Sequence, residues 1–170
     1  NVVAHIDNLQ GLAKGIRHLI ADKGVFVFQA PYVIDMFENL AYDSIYHEHV
    51  SFLALGPLVR LFREVGMDIF DVEGHAIQGN SIRVFACPHG TRKIQSSVKR
   101  LLAKEKKLGL HTIGAYRKLA KRVYASREKL QVLLKQLKSK KKSIAAYGAP
   151  ARGMTILNFC NIGRTILEYA

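Results

Sequence analysis

Cysteine is scarce: Cys87 and Cys160 are the two in 170 residues, and they stand too far apart for any short zinc-ligand spacing. A disulfide-dense secreted scaffold is excluded, and a reducing cytosol suits the pair best, so a cytoplasmic protein is expected. Long apolar runs are missing too. The stretch from Ser51 to Leu61 is broken by Gly56, Pro57 and Arg60, well short of the roughly 20 residues a bilayer span needs. Neither a membrane span nor a signal peptide is read, so no membrane partner is expected. Acid is short in one place only: residues 92 to 142 hold 18 Lys and Arg against Glu105 and Glu128, a net +16, while the rest of the chain carries −3. The overall charge of +13 therefore describes one segment, and any inference from basicity concerns that segment alone. With 49% hydrophobic and 23% charged residues the composition is that of a globular chain of one domain or two small ones. A start at Asn1 without methionine and an end at Tyr169-Ala170 lead us to expect a fragment.

Periodicity gives the architecture. Leu9, Leu12, Ile16, Leu19 and Ile20 recur at helical spacing between Asp7 and Ala21, and Lys23-Gly24 ends the run. Val25 to Phe28 reads as a buried strand closed by Ala30-Pro31, and Leu55 to Val65 as a helix ending at Gly66. Met67 to Val72 and Ser81 to Ala86 read as two strands, so the order suits an α/β sheet with an antiparallel edge. After Pro88-His89-Gly90 the texture changes to one helix reaching about Leu108 and a long second one reaching about Ser139, the latter with Ile113, Leu119, Val123, Leu130, Leu133, Leu134 and Leu137 as its apolar positions. Ser143 to Tyr147 is then a short strand, residues 148 to 153 a tight glycine loop, and Met154 to Phe159 the start of a helix. The expected fold class is α/β: a partial Rossmann-like sheet over residues 1 to 90, then over 91 to 170 a helical segment (92 to 142) and the start of a second Rossmann-like unit.

The densest polar group, residues 42 to 49, packs two phenols, a carboxylate pair and two imidazoles between a strand and a helix: Tyr42-Asp43-Ser44-Ile45-Tyr46-His47-Glu48-His49. Chemistry in α/β proteins is carried by segments leaving the C-terminal ends of strands. His47-x-His49 could share a metal on a strand, but in a helix the two rings point about 200° apart, and no third ligand at recognisable spacing accompanies them; no metal is expected. Proton transfer suits the residue types better, because histidine titrates near neutrality and a neighbouring carboxylate or phenol fixes its tautomer. His5 is a possible second member, and a solvated polar loop with an ordinary core histidine is the bland alternative. Two further loops are polar: Gly148-Ala149-Pro150-Ala151-Arg152-Gly153, where backbone N–H groups and Arg152 would suit an anion, and Gly79-Asn80-Ser81-Ile82-Arg83. The glycine loop reads equally as a plain strand-to-helix turn. The basic segment, with Tyr116 and Tyr124, could contact nucleic acid, but lysines between spaced leucines are what an amphipathic helix with a solvated face shows.

Four motifs together, Asn1-Val2-Val3-Ala4-His5, Tyr46-His47-Glu48-His49-Val50-Ser51-Phe52, Gly79-Asn80-Ser81-Ile82-Arg83 and the 148 to 153 loop followed by Leu157-Asn158-Phe159, resemble the S-adenosylmethionine-dependent C-methyltransferases of deoxysugar biosynthesis. The resemblance covers nearly the whole chain in order and approximate spacing, and Asn80 stands where that family's GGS(L/I)R pattern has a glycine. It implies the end of a methyltransferase domain joined to most of a C-terminal domain, with the zinc-binding region and most of the S-adenosyl-L-methionine site expected upstream of residue 1. It implies C3-methylation of a nucleotide-linked 4-keto-deoxysugar through an enolate, with the chain inactive alone. His49 would be the general base, Glu48 and Tyr46 would support it or polarise the sugar, and His5 would line the same cavity; Ser81, Arg83, Gly148, Ala149, Arg152 and Gly153 would contact the nucleotide-sugar. A methyltransferase for another carbon acid or heteroatom, and a basic interaction module, are the alternatives.

Overall fold

The computed structural model describes residues 2–75 and 81–169. Gly79 and Asn80 of the third polar loop lie outside the described residues. Helix α1 (Leu9–Leu19) starts where the Asn8 side chain accepts the Gly11 N–H at 2.7 Å, pairing one of the N–H groups a helix start leaves open. Strand β1 (Phe26–Pro31) follows, and after it helices α2 (Val33–Glu38) and α3 (Leu55–Glu64), then strands β2 (Met67–His75) and β3 (Ser81–Pro88).

The three strands form one sheet in the order β1-β3-β2, antiparallel in both pairings, so the fold is α/β as expected. The antiparallel character foreseen for an edge extends across this whole sheet. Sequence-adjacent β2 and β3 pair as a hairpin, while β1 reaches the other side of β3 with Phe28 opposite Val84. Val84 and Ala86 of this central strand are fully buried and share one core cluster with Leu55 and Leu58 of α3 and Met67 and Ile69 of β2. Phe28 and Phe62 of α3 stack nearly parallel, 5.8 Å between centroids, and tie that helix to the sheet.

Buried Asp68 at the start of β2 accepts the Gly90 N–H at 3.0 Å and faces His89 at 3.0 Å and Arg63 at 3.5 Å. Burial pushes its pKa up, but the Gly90 N–H, then His89 and Arg63, outweigh it and hold the carboxyl below its ordinary value. A carboxyl depressed on folding stabilises the fold above its unfolded pKa and loses that contribution as pH falls through the folded one. Asp68→Asn should therefore cost about 1–3 kcal/mol at pH 7, from lost charged hydrogen bonds, and flatten the acid limb below about pH 4. Urea titrations at pH 7 and pH 3 check this; equal losses at both would assign the effect to packing.

The helical segment divides as read: α4 (Ser96–Leu108) stops at Gly109, whose φ of +72° a side chain rarely adopts, and α5 (Ile113–Ser139) runs 27 residues. Length alone would let α5 cross a bilayer, but among the described residues no helix is both long and apolar enough. Leu119 is buried, Val123, Leu130, Leu134 and Leu137 are half-buried, and Lys118, Lys121, Lys129 and Lys135 face water. Ile113 and Leu133, read as part of the apolar stripe, lie off it and are exposed. Arg122 anchors the helix by donating to the carbonyls of Phe37 and Glu38 at the end of α2.

The strand expected at Ser143 to Tyr147 shrinks to one parallel bridge, Ala145 with Tyr169. The Glu168 N–H donates to Ile144 and the Ala146 N–H to Tyr169, and Tyr147 is already fully exposed. Parallel pairing requires a crossover, supplied here by α6 (Ala151–Phe159). Gly148 turns the chain into it with a φ of +74°.

Candidate functional site

Four pieces of chain line a cleft of about 400 Å³: the 3-10 turn Val3–His5, the junction of β1 with α2, the segment 41–52, and the first turn of α6. β1 delivers the chain to the cleft at Pro31-Tyr32, and Tyr32 there bridges to Leu53, which fixes both ends of the intervening polar segment. That segment is a 3-10 turn, Tyr42–Ser44, followed by irregular backbone in which the His49 N–H donates to the Tyr46 carbonyl at 3.0 Å.

His49 Nδ1 lies 2.8 Å from the Ser44 carbonyl oxygen. A carbonyl only accepts, so in the neutral imidazole the hydrogen sits on Nδ1 and donates, leaving the lone pair on Nε2. The Tyr46 hydroxyl is 3.3 Å from that Nε2 and donates to it, with the two rings 4.4 Å apart. His5 repeats the pattern: its Nδ1 donates to the Glu48 carbonyl at 2.6 Å, and its ring centroid is 5.2 Å from that of His49. Two imidazoles with their Nδ1 hydrogens tied to backbone thus share one cleft with a phenol.

Arg152 enters from α6 and is held by Asp43 in a two-pronged ion pair, Nε to Oδ2 at 2.7 Å and Nη2 to Oδ1 at 2.9 Å. Asp43 raises the pKa of the guanidinium, so the charge is permanent. Two of the five N–H donors are engaged there, and among the described residues the others are left for an oxygen in the cleft. Buried Asp35 of α2, bonded by the Asn39 amide, completes the polar lining.

Of the residues read from sequence, His5, Tyr46, Glu48, His49 and Arg152 come together here. Ser81 is buried in an adjoining cleft of about 570 Å³ that shares Tyr32 and Asp35 with the first. Arg83 reaches across the sheet to Gln29 and Glu73, at 3.5 Å from each. Gly148 and Ala149 lie in the loop before α6, which starts at Ala151 and not at Met154, so Gly153, read as part of that loop, sits in the first turn of the helix; none of the three lines either cleft. Among the described residues no group of three or more His, Cys, Asp or Glu side chains stands close enough to hold a metal ion, and His47 is exposed and does not line the cleft that His49 lines. Sequence reasoning missed Tyr32 and Asp35, and held Asp43 within the polar run without its pairing to Arg152. An acid inside the apolar run 32–37 is a usable signal for Asp35, whereas a pairing across 109 positions leaves none for Asp43.

Residues 76–170 match the family model of the C-methyltransferase C-terminal domain. Over 167 residues, 98% of this chain, the sequence is 32% identical to C-methyltransferase NovU of Streptomyces niveus. The chain spans 40% of that relative's length.

Proposed function

The chain belongs to the C-methyltransferase family whose C-terminal-domain model it matches, and from that premise we propose that its cleft performs the deprotonation step in C-methylation of a nucleotide-linked 4-keto-deoxysugar. The observation that carries this is the tautomer of His49. With Nδ1–H on the Ser44 carbonyl, Nε2 is the basic nitrogen facing the cleft. It takes the proton from the carbon beside the ketone; the C–H pair moves into the ring and the carbonyl π pair onto oxygen, giving an enolate. Substrate entry turns the Tyr46 hydroxyl off Nε2, which frees the lone pair; the Ser44 carbonyl then stabilises the imidazolium through the same Nδ1–H, and the released Tyr46 hydroxyl and Arg152 donate to the enolate oxygen. Glu48 and His5 wall the same space. Ser81, Arg83, Gly148 and Ala149 of the loop, and Gly153 of α6 are assigned to the nucleotide end of the substrate. The chain is divided at about residue 90, in line with the change of texture there.

S-adenosyl-L-methionine, when bound, supplies an electrophilic methyl group. We place most of its holding site upstream of these residues. β1 enters α2 across Pro31-Tyr32, proline has no N–H, and the first N–H of α2, that of Val33, is already given to the Leu53 carbonyl at 3.0 Å. We therefore expect the isolated 170 residues to bind it weakly; micromolar affinity by calorimetry would reveal a cofactor site among them. The deprotonation itself is tested by incubating the full-length protein with a nucleotide-linked 4-keto-deoxysugar in heavy water. Deuterium should enter beside the ketone, and its absence with substrate bound would sink the proposed step.

A further inference from the structure

The turn Tyr42–Ser44 makes a separate contact with each of its three residues. Tyr42 packs edge-on against Phe159 of α6, with 5.6 Å between centroids. Asp43 grips Arg152 of the same helix through both carboxylate oxygens, at 2.7 and 2.9 Å. Ser44 offers the carbonyl that accepts the Nδ1 hydrogen of His49. The turn is short, its N–H of Ile45 donating back to Tyr42, so a shift of Asp43 cannot leave Ser44 in place.

Asp43 is largely covered while Arg152 is 42% exposed, so the carboxylate is the fixed partner and the guanidinium the one that is placed. A two-pronged pair fixes orientation as well as distance, which a lysine or an amide would not reproduce. The pair also spans the two parts of the chain, tying the first turn of α6 to the segment that carries the proposed base.

We propose that Asp43 is a positioning residue for the reaction, holding Arg152 in the cleft and, through the Ser44 carbonyl, setting the ring orientation and tautomer of His49. It touches neither substrate nor the reacting atoms. This rests on the reading of His49 as base, but its effect on the imidazole does not need that reading.

The test uses the full-length protein with Asp43→Asn and Asp43→Glu, each checked by circular dichroism. Asp43→Asn should slow exchange of the proton beside the ketone by about 10- to 100-fold, the scale on which small misplacements act. It should also shift the imidazole nitrogen resonances of His49, assigned by their loss in His49→Asn, away from the parental Nδ1–H pattern. Parental exchange with unshifted resonances would overturn the proposal. Should Asp43→Asn fail to fold, Asp43→Glu decides: it keeps the charge but displaces it by one methylene, and a several-fold loss of turnover with larger change in kcat than in KM is expected, whereas parental kinetics would overturn the proposal. Failure of the base reading looks different: His49→Asn would exchange at the parental rate, while the resonance shift in Asp43→Asn would still report on the imidazole.

Discussion

Replacing His49 by asparagine should slow exchange of the proton beside the ketone by at least about 100-fold in the full-length enzyme, the usual scale for loss of a general base. Asparagine can keep a hydrogen bond to the Ser44 carbonyl, which now holds Nδ1 at 2.8 Å, but it has no nitrogen that accepts a proton. Affinity for nucleotide-sugar and for cofactor should stay within about threefold, because the imidazole is assigned to chemistry and not to holding either ligand. His5 is the rival. Its ring stands 5.2 Å away with Nδ1 tied to the Glu48 carbonyl in the same manner, so it too presents Nε2. Only His49 has the Tyr46 hydroxyl, at 3.3 Å, beside that nitrogen. His5→Asn is therefore expected to cost less than His49→Asn in the same heavy-water assay; the reverse order would transfer the base to His5.

How much of this was legible depended on whether the controlling contact was local. Helix α1, the break at Gly109 and the hairpin of β2 with β3 follow from near-neighbour patterns, and each was read within a few residues of its observed bounds. Helix α2 is not legible in the sequence, since six residues with four apolar side chains and two acids match a strand as well as a helix, and the bond from Val33 to Leu53 that starts it is long-range. The strand at 143 to 147 was over-read for the converse reason: its local pattern is adequate, but its observed partner is the bridge at Tyr169. In the cleft, Tyr46, Glu48, His49 and Arg152 stood out because their motifs are dense. Asp43 sat inside the same run without distinction, since its importance lies in a partner 109 positions on. Glu105 shows the same limit most clearly, counted in the sequence only as one of two acids in the basic segment 92 to 142.

Glu105 is buried, and its carboxylate does three things at once: it accepts the Tyr32 hydroxyl at 2.6 Å, the Leu55 N–H, and the Gly56 N–H at 2.9 Å. Helix α3 begins at Leu55, and Ala54 before it has no side chain able to cap, so a residue of α4 supplies the cap and the negative charge that a helix N-terminus favours. Burial, with Glu105 beside it, raises the Tyr32 pKa, so the phenol stays protonated and can only donate to the carboxylate. Glu105→Ala leaves two N–H groups and a hydroxyl without partners, at about 1–3 kcal/mol each for the buried Leu55 N–H and Tyr32 hydroxyl and less for the Gly56 N–H, which borders a cleft. Partial relaxation brings the expected total to about 3–5 kcal/mol, a large share of the roughly 5–15 kcal/mol by which a domain is stable. Glu105→Gln keeps the volume, but its amide oxygen can serve one side while the NH₂ faces a second donor, so about half that loss is expected. Tyr32→Phe leaves the helix cap intact and should cost about 1 kcal/mol. The double variant Glu105→Ala with Tyr32→Phe should then lose less than the sum of its parts, because the orphaned hydroxyl is gone. Urea denaturation followed by circular dichroism measures all four. A Glu105→Ala protein within about 0.5 kcal/mol of the parent, the range of ordinary surface changes, would mean that water reaches the start of α3 and that the carboxylate is not its cap.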